Sequence, residues 1–216
     1  MSGIWLEILT GTFATLYITL FSTAFAYIIG LPLGVVLTIT DKGGLKPILP
    51  LNKILGFTVN ALRSVPFIIL VVMVIPLTRF IVGTSIGTTA MIVPLVVAAA
   101  PFVARIVENS LKETDRGVIE AAKAMGASNF GIVVKVMLPE ARSSLLLGLT
   151  LAAATIMGYS AMAGIIGGGG LGAVAINYGY YRYETTVLYI CVSILIVILQ
   201  ILQEIGLKVA KKINKS

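Results

Sequence analysis

The sequence predicts an all-α integral membrane protein with five transmembrane helices. Hydrophobic residues make up 58% of the 216 positions and charged residues only 12%, about half of the charged fraction of soluble domains. The mean hydropathy is +1.03. Long uncharged stretches alternate with short charged ones, and a spanning helix needs about 20 apolar residues. A bilayer is therefore the expected solvent, and the length is that of a single domain, 1–216.

The positions of the charged residues define the five spans, since a charge at mid-bilayer costs about 2.5–3.5 kcal/mol on insertion scales. The stretch between Arg63 and Arg79 is short, but both side chains can reach the interface. Four glycines at 167–170 interrupt a longer uncharged stretch and leave too few residues after them for another crossing. The predicted spans are approximately 12–40, 58–82, 86–106, 141–165 and 185–207.

The basic residues predict that the N-terminus lies outside and the C-terminus in the cytoplasm. Lysine and arginine number four in 41–63, six in 105–142 and four in 208–215, and only Arg79 and Arg182 lie elsewhere. With five spans, those three segments share one side of the membrane. Because basic residues collect in cytoplasmic loops, that side is the cytoplasm. The same rule accounts for the net charge of +7 without nucleic acid as a partner.

Few groups in the chain could carry out chemistry. It has no histidine and one cysteine, Cys191, in an apolar run. The acidic residues lie in loops or at span ends, whereas a proton-coupled carrier normally keeps an ionisable group within the membrane. Arg105 and Glu108, three residues apart, are expected to form an interfacial ion pair. The glycine run lacks the Lys-Ser or Lys-Thr of a phosphate loop. We therefore expect no enzyme activity, no metal and no nucleotide in this chain.

One charged segment, 111–140, interrupts the apolar sequence on the predicted cytoplasmic side. It contains two candidate short helices, "GVIEAAKAMG" and "NFGIVVKVML". Gly126 is a suitable C-terminal residue for the first helix, Ser128 can cap the second, and Pro139 ends or redirects it. An apolar surface presented to the cytoplasm is typical of a protein interface.

The motif Glu120-Ala121-Ala122, followed by Gly126 and by Leu138-Pro139, resembles the EAA loop of bacterial ATP-binding cassette (ABC) importer permeases. Three further stretches resemble the permease subunits of the methionine uptake transporter family. They are "RSVPFIIL" (63–70), "PFVARIVENSL" (101–111) and "GYSAMAGIIGGGGLGAVAINYGY" (158–180). The resemblance extends from about residue 12 to residue 205.

This resemblance implies a type I ABC importer permease fold in the bacterial inner membrane. It implies a homodimer that moves D- or L-methionine, or a close derivative, by alternating access. Two cytoplasmic ATPase subunits would bind ATP-Mg and dock on the loop, and an extracytoplasmic methionine-binding protein or lipoprotein would deliver substrate. The coupling residues implied are Glu120, Ala121, Ala122, Met125, Gly126, Leu138 and Pro139.

Several alternatives stay open at the level of sequence. The substrate could be another amino acid or small solute, and a secondary carrier, a membrane enzyme or a structural subunit are the rival classes. Gly158, Tyr159, Ser160 and Met162 could form a gate facing the dimer axis, or they could serve only helix packing. The glycine run could be a close-packed or a flexible turn. Prolines in the first three spans could shape the packing or act as hinges.

Overall fold

The computed structural model describes residues 2–214, which are helical for most of their length. Lys215 of the predicted basic tail lies outside these residues. The α-helices are α1 (Ser2–Thr40), α2 (Leu49–Ser64), α3 (Phe67–Val82), α4 (Ile92–Lys112), α5 (Arg116–Ala124), α6 (Asn129–Ile132), α7 (Leu138–Glu140), α8 (Arg142–Ala163), α9 (Gly170–Val174) and α10 (Thr185–Asn214).

Four of these helices, α1, α4, α8 and α10, are long and apolar enough to cross a membrane by length and composition. The consecutive helices α2 and α3 pass the same test together, although the chain bends by 112° between them. The prediction of an all-α membrane protein is confirmed. The number of five crossings depends on counting this bent pair as one broken span.

The second predicted span, 58–82, is the largest departure from the sequence-based expectation, because no continuous helix covers it. Val65 is extended (ψ 125°) and Pro66 has φ −57° and ψ 134°. A residue before proline is disfavoured in the helical region, so α2 ends at Ser64 and α3 begins at Phe67. The bent pair of α2 and α3 therefore takes the place of the single predicted helix.

Three other predicted spans differ from the observed helices at their ends, and the last of them, predicted as 185–207, is a helix from Thr185 to Asn214. The first helix begins at Ser2 where the expected span began at residue 12. The third, predicted as 86–106, is observed at Ile92–Lys112. Its C-terminal end carries Arg105, Glu108 and Lys112, and Glu108 pairs with both basic residues. Pairing lowers the cost of holding these charges near the membrane. The helix therefore continues past Arg105, the first charged residue, near which the predicted span ended.

Helices α1 and α4 pack closely because glycine faces valine where they cross. A Cβ atom added at Gly30 would lie 2.7 Å from Val103 Cβ, and one added at Gly34 would lie 2.6 Å from Val107 Cβ. Both valines are fully buried. Without a hydrophobic force between helices in lipid, small residues stabilise a pair by letting the backbones approach. This crossing forms the centre of the described core.

The glycine run at 167–170 forms an ordered turn between α8 and α9. Gly167, Gly169 and Gly170 all have φ between 75° and 82°, a region that side chains other than glycine rarely adopt. The Leu171 N–H donates to Thr15 Oγ1 of α1 at 2.9 Å. The turn is therefore packed and hydrogen-bonded, which favours the close-packed interpretation of the run.

Orientation in the membrane stays a prediction from the basic residues. We expect a cytoplasm-dependent fluorescent reporter to be active when fused after Ser216 and inactive when fused at Gly3. Activity at Gly3 would contradict an outside N-terminus, whatever the result at the other end.

Candidate functional site

The charged segment between α4 and α8 folds as a pair of capped short helices, which we call the coupling knob (residues 115–140). The Asp115 carboxylate accepts a hydrogen bond from the Gly117 N–H at 2.6 Å, at the start of α5. Ser128 Oγ accepts one from the Gly131 N–H at 3.1 Å, at the start of α6. Each cap satisfies an amide that the first helical turn leaves unpaired. The predicted cap at Ser128 is confirmed.

Gly126 terminates α5, as the sequence predicts. It has φ +81°, and its N–H donates to the Lys123 carbonyl at 2.9 Å. The Ala127 N–H donates to the Ala122 carbonyl at 3.1 Å. These two bonds form a Schellman motif, in which glycine tolerates the left-handed conformation. The corner between the two helices is thereby held in one geometry.

The second half of the knob remains helical through Pro139. A π-helical turn (Val133–Met137) separates α6 from α7. Proline has no N–H, and its ring crowds the preceding turn, so the wider turn accommodates it. The chain changes direction at Ala141, whose N–H donates to the Met137 carbonyl at 2.9 Å, and α8 follows. Pro139 thus lies just before the redirection.

The predicted coupling residues divide into a surface set and an internal set. Glu120, Ala121, Met125, Gly126 and Pro139 are exposed. Ala122 is only 4% exposed and belongs to a buried cluster that includes residues of α6 and the π-helical turn, and Leu138 packs against that cluster. Ala122 and Leu138 therefore maintain the shape of the knob and do not form its outer surface.

The structure adds exposed apolar residues that the sequence-based interpretation missed, above all Phe130. Phe130 is 79% exposed in the first turn of α6, and Met125, which the sequence did predict, is 82% exposed at the end of α5. Val118 and Val134 are exposed on the same knob. A phenylalanine in a charged segment, immediately after a glycine corner, is the signal that could have identified Phe130.

An ion-pair network lies where the knob joins α4. Glu108 is buried, and its carboxylate contacts Arg105 at 2.5 Å and Lys112 at 2.9 Å, which confirms the predicted Arg105–Glu108 pair. Lys112 also reaches Asp41 at 2.7 Å. The Lys112 hydrogen bond, with the Lys42 N–H, holds the pKa of Asp41 below its ordinary value. The network joins the ends of α1 and α4.

Arg105 extends this network to α2. Its guanidinium donates to the Gly56 carbonyl and to Asn60 Oδ1, both at 3.0 Å. These bonds make Arg105 a tie between α2 and α4. Removing one partner of a buried ion pair leaves an unpaired buried charge. That change destabilises a protein more than replacing both partners with apolar residues.

The four predicted gate residues do not share one face of α8. Gly158 is exposed, with nothing within 4 Å of a Cβ added there, and Met162 is 46% exposed. Tyr159 is half-buried, with its ring stacked on Phe67 at a centroid separation of 4.6 Å. Ser160 is buried and donates to the Met157 carbonyl at 2.8 Å. Only Gly158 and Met162, four residues apart, present a common outer face.

A cavity of about 220 Å³ lies where the break between α2 and α3 meets α4 and α8. Arg63 contributes the charged group of its lining, and its guanidinium carbon lies 5.9 Å from the centroid of the Phe102 ring. Phe67 and Tyr159 contribute their stacked rings, and Thr155 a hydroxyl.

Among residues 2–214, no cluster of three or more acidic or cysteine side chains could hold a metal ion. Cys191 is buried with a free thiol. Three features of this fold are open to other molecules. They are the exposed coupling knob, the open face of α8 and the partly aromatic cavity.

Relatives of similar length share about half of the residues. The chain is 50% identical over 207 residues to the probable D-methionine transport system permease protein MetI of Vibrio cholerae, covering 96% of this chain and 92% of that one. It is 45% identical over 211 residues to the corresponding protein of Pasteurella multocida, with coverages of 98% and 97%. The D-methionine transport system permease protein MetI of Escherichia coli K12 is 51% identical over 160 residues, 74% and 73% of the two chains.

Solved structures agree with these relatives. The fold matches a chain of the inward-facing MetNI methionine ABC transporter with a TM-score of 0.97 and 44% identity, covering 99% of both chains. A chain of an amino acid ABC transporter solved with histidines matches with a TM-score of 0.79 at 20% identity, which supports the fold alone.

The match to a family spans most of the chain. Residues 30–208 match the family described as "Binding-protein-dependent transport system inner membrane component". Together with the structural matches, this assigns the predicted type I ABC importer permease fold. The chain belongs to the family of binding-protein-dependent transport system inner membrane components.

Proposed function

We propose that this chain is the membrane permease of an ATP-driven importer of methionine. The observation that carries the proposal is the full-length similarity to the Vibrio cholerae D-methionine permease, joined to the near-identical fold of the methionine transporter chain. The more distant amino acid transporter matches at only 20% identity, so it gives no support to another substrate.

The permease itself performs no ATP hydrolysis in this proposal. Its only glycine-rich loop has the sequence "GGGGLG" without the following Lys-Ser or Lys-Thr, and phosphate loops need those side chains for the phosphates and Mg²⁺. ATP-Mg is bound by two separate cytoplasmic ATPase subunits. Two copies of the permease form the membrane part, and an extracytoplasmic binding protein delivers methionine from outside.

The coupling knob is the surface on which we place the ATPase. It is short, capped at both helix starts and closed by the Gly126 corner, so it can transmit a displacement as one body. Its exposed face presents Met125 and Phe130, and large apolar side chains are the usual anchors of protein interfaces. Its inner residues pack with the core that includes α4 and α8.

Transport energised by ATP distinguishes this function from a secondary carrier. Cells that carry the chain with its ATPase and binding protein should take up labelled L-methionine, in competition with D-methionine and with the sulfoxide. Uptake should stop when ATP is depleted and the proton gradient is kept. Uptake that follows the proton gradient instead would show a secondary carrier. If unlabelled methionine did not reduce the uptake of another labelled amino acid that the complex transports, the substrate would be that other amino acid.

The open face of α8 is the part of the helix that we place toward the second copy and the pathway. In a chain with Cys191→Ala, we expect cysteines introduced at Gly158 and Met162 to react with a water-soluble thiol reagent from outside. Their reactivity should change between ATP-bound and nucleotide-free complexes, because the pathway opens and closes there.

A cysteine in place of the buried Ser160 is the matched control, and it should react slowly in both states. The two open positions should also form cross-links between copies, whereas position 160 should not. If labelling at 158 and 162 were the same in both nucleotide states and no cross-links formed, this face would serve only lipid contact or helix packing.

A further inference from the structure

The cavity at the α2–α3 break lies between the middle parts of α4 and α8. Phe102, in its wall, is halfway along α4, and Thr155 lies past the middle of α8. Residues at the break between α2 and α3 form the remaining wall of the cavity. In secondary transporters, substrate sites are commonly formed where a helix is discontinuous, and we apply the same geometric reasoning to this break.

Arg63 in this cavity has no ion pair and no side-chain hydrogen bond to any other residue within the range 2–214. Its contact is with the Phe102 ring, and no acidic side chain lines the cavity. Arg105, by contrast, has its guanidinium bound to Glu108, Gly56 and Asn60. Arg63 is exposed. The five N–H groups of Arg63 are thus available to an anionic ligand.

The remaining walls fit an apolar side chain that contains sulfur. The rings of Phe67 and Tyr159 are nearly parallel, with 4° between their planes, and the Phe102 ring lies under the guanidinium. Thioether sulfur packs favourably against aromatic rings. The volume of about 220 Å³ is below the range of about 300–1,000 Å³ for drug-sized ligands and suits a single amino acid.

We propose that this cavity is a transfer subsite for methionine within the permease, in which Arg63 binds the carboxylate and the rings of Phe67, Phe102 and Tyr159 enclose the thioether. The guanidinium geometry allows two parallel hydrogen bonds to a carboxylate. The subsite rests on the proposed function, since it requires that methionine crosses here. It gives the permease a selectivity of its own, in addition to that of the binding protein.

Protection from labelling tests the subsite without the binding protein. In the permease–ATPase complex with Cys191→Ala and Thr155→Cys, methionine should slow reaction of the new cysteine about threefold at twice its dissociation constant, as simple occupancy requires. Methioninamide, which lacks the carboxylate, should protect at concentrations about tenfold higher, because one charge-assisted contact is lost. A cysteine at Tyr183, an exposed residue that lines neither the cavity nor the open face of α8, reports any global change and should not be protected.

Two variants assign the carboxylate contact. Arg63→Gln should require about tenfold more methionine for the same protection and should no longer distinguish methionine from its amide, while Arg63→Lys should retain the distinction. Arg182→Gln is the matched control, since Arg182 also stacks on an aromatic ring, at 4.4 Å from Tyr178, but does not line this cavity.

The subsite is rejected if methionine gives no protection in the unaltered Arg63 background, or if Arg63→Gln is protected as well as that background. Uptake by the wild-type complex is measured separately. Uptake without protection would reject the subsite alone, and absence of methionine uptake would reject the proposed function.

Discussion

Replacing Phe130 with glutamate is expected to release the ATPase from the purified complex. The ring is 79% exposed in the chain, at the first turn of α6, and an aromatic side chain buries about 150–250 Å² when covered. Interface anchors of this kind cost about 2 kcal/mol or more on truncation. A buried unpaired carboxylate adds a desolvation cost. We therefore expect the affinity for the ATPase to fall by about 100-fold or more, seen as loss of co-elution and of coupled ATP hydrolysis.

Two control variants identify the cause of that loss. Tyr183→Glu changes an aromatic residue of similar exposure, 88%, on the predicted outer side, and should leave the complex intact. Ala122→Glu places a charge in the buried cluster of the knob, so the knob itself should become sensitive to protease. Phe130→Glu should keep protease resistance. Co-elution of the Phe130→Glu permease with its ATPase would show that the knob docks through another face, or not at all.

Local chemistry is what made the knob predictable from sequence. The cap at Ser128 and the corner at Gly126 depend on residues within five positions of each other, and glycine favours the left-handed corner. The division between buried Ala122 and exposed Phe130 depends on how α5 packs against α6 and the π-helical turn. Residue types in a charged segment do not contain that information.

The break at Pro66 was contained in the sequence but was misinterpreted. Hydropathy averages over a window, and the apolar residues on both sides of Ser64-Val65-Pro66 produce one continuous signal. The restriction that proline places on Val65 acts on a single backbone angle, and a window does not register it. The error matters because the break, with Arg63 beside it, borders the cavity between α4 and α8.

The gate residues show a second limit. A helix rotates by about 100° per residue, so Gly158 and Met162 share a face that Ser160 cannot share. That separation follows from the sequence alone once α8 is assigned. Which face lies inward follows only from the packing, in which Ser160 is buried and donates to Met157.

Gly34→Val is expected to prevent the permease from folding stably. A Cβ at this position would lie 2.6 Å from the backbone carbonyl oxygen of Ala104 and 2.6 Å from Val107 Cβ. Neither atom can move away by a side-chain rotation, so α1 and α4 must separate along their crossing. Overpacking a core costs about 1–3 kcal/mol and sometimes more, and a backbone clash belongs at the upper end. Native proteins have only about 5–15 kcal/mol of stability to lose.

The measurement is the yield of monodisperse protein and its melting temperature in detergent, compared with Gly3→Val. Gly3 lies on the same helix and has nothing within 4 Å of an added Cβ, so its substitution controls for valine in place of glycine in α1. If the Gly34→Val protein had the same melting temperature as the Gly3→Val protein, α1 and α4 would not be in close contact. Close contact between these helices is also what holds the Lys112–Asp41 pair together, and Lys112 links that pair to the buried Glu108. Loosening the crossing should therefore weaken the support of the coupling knob even in protein that still inserts.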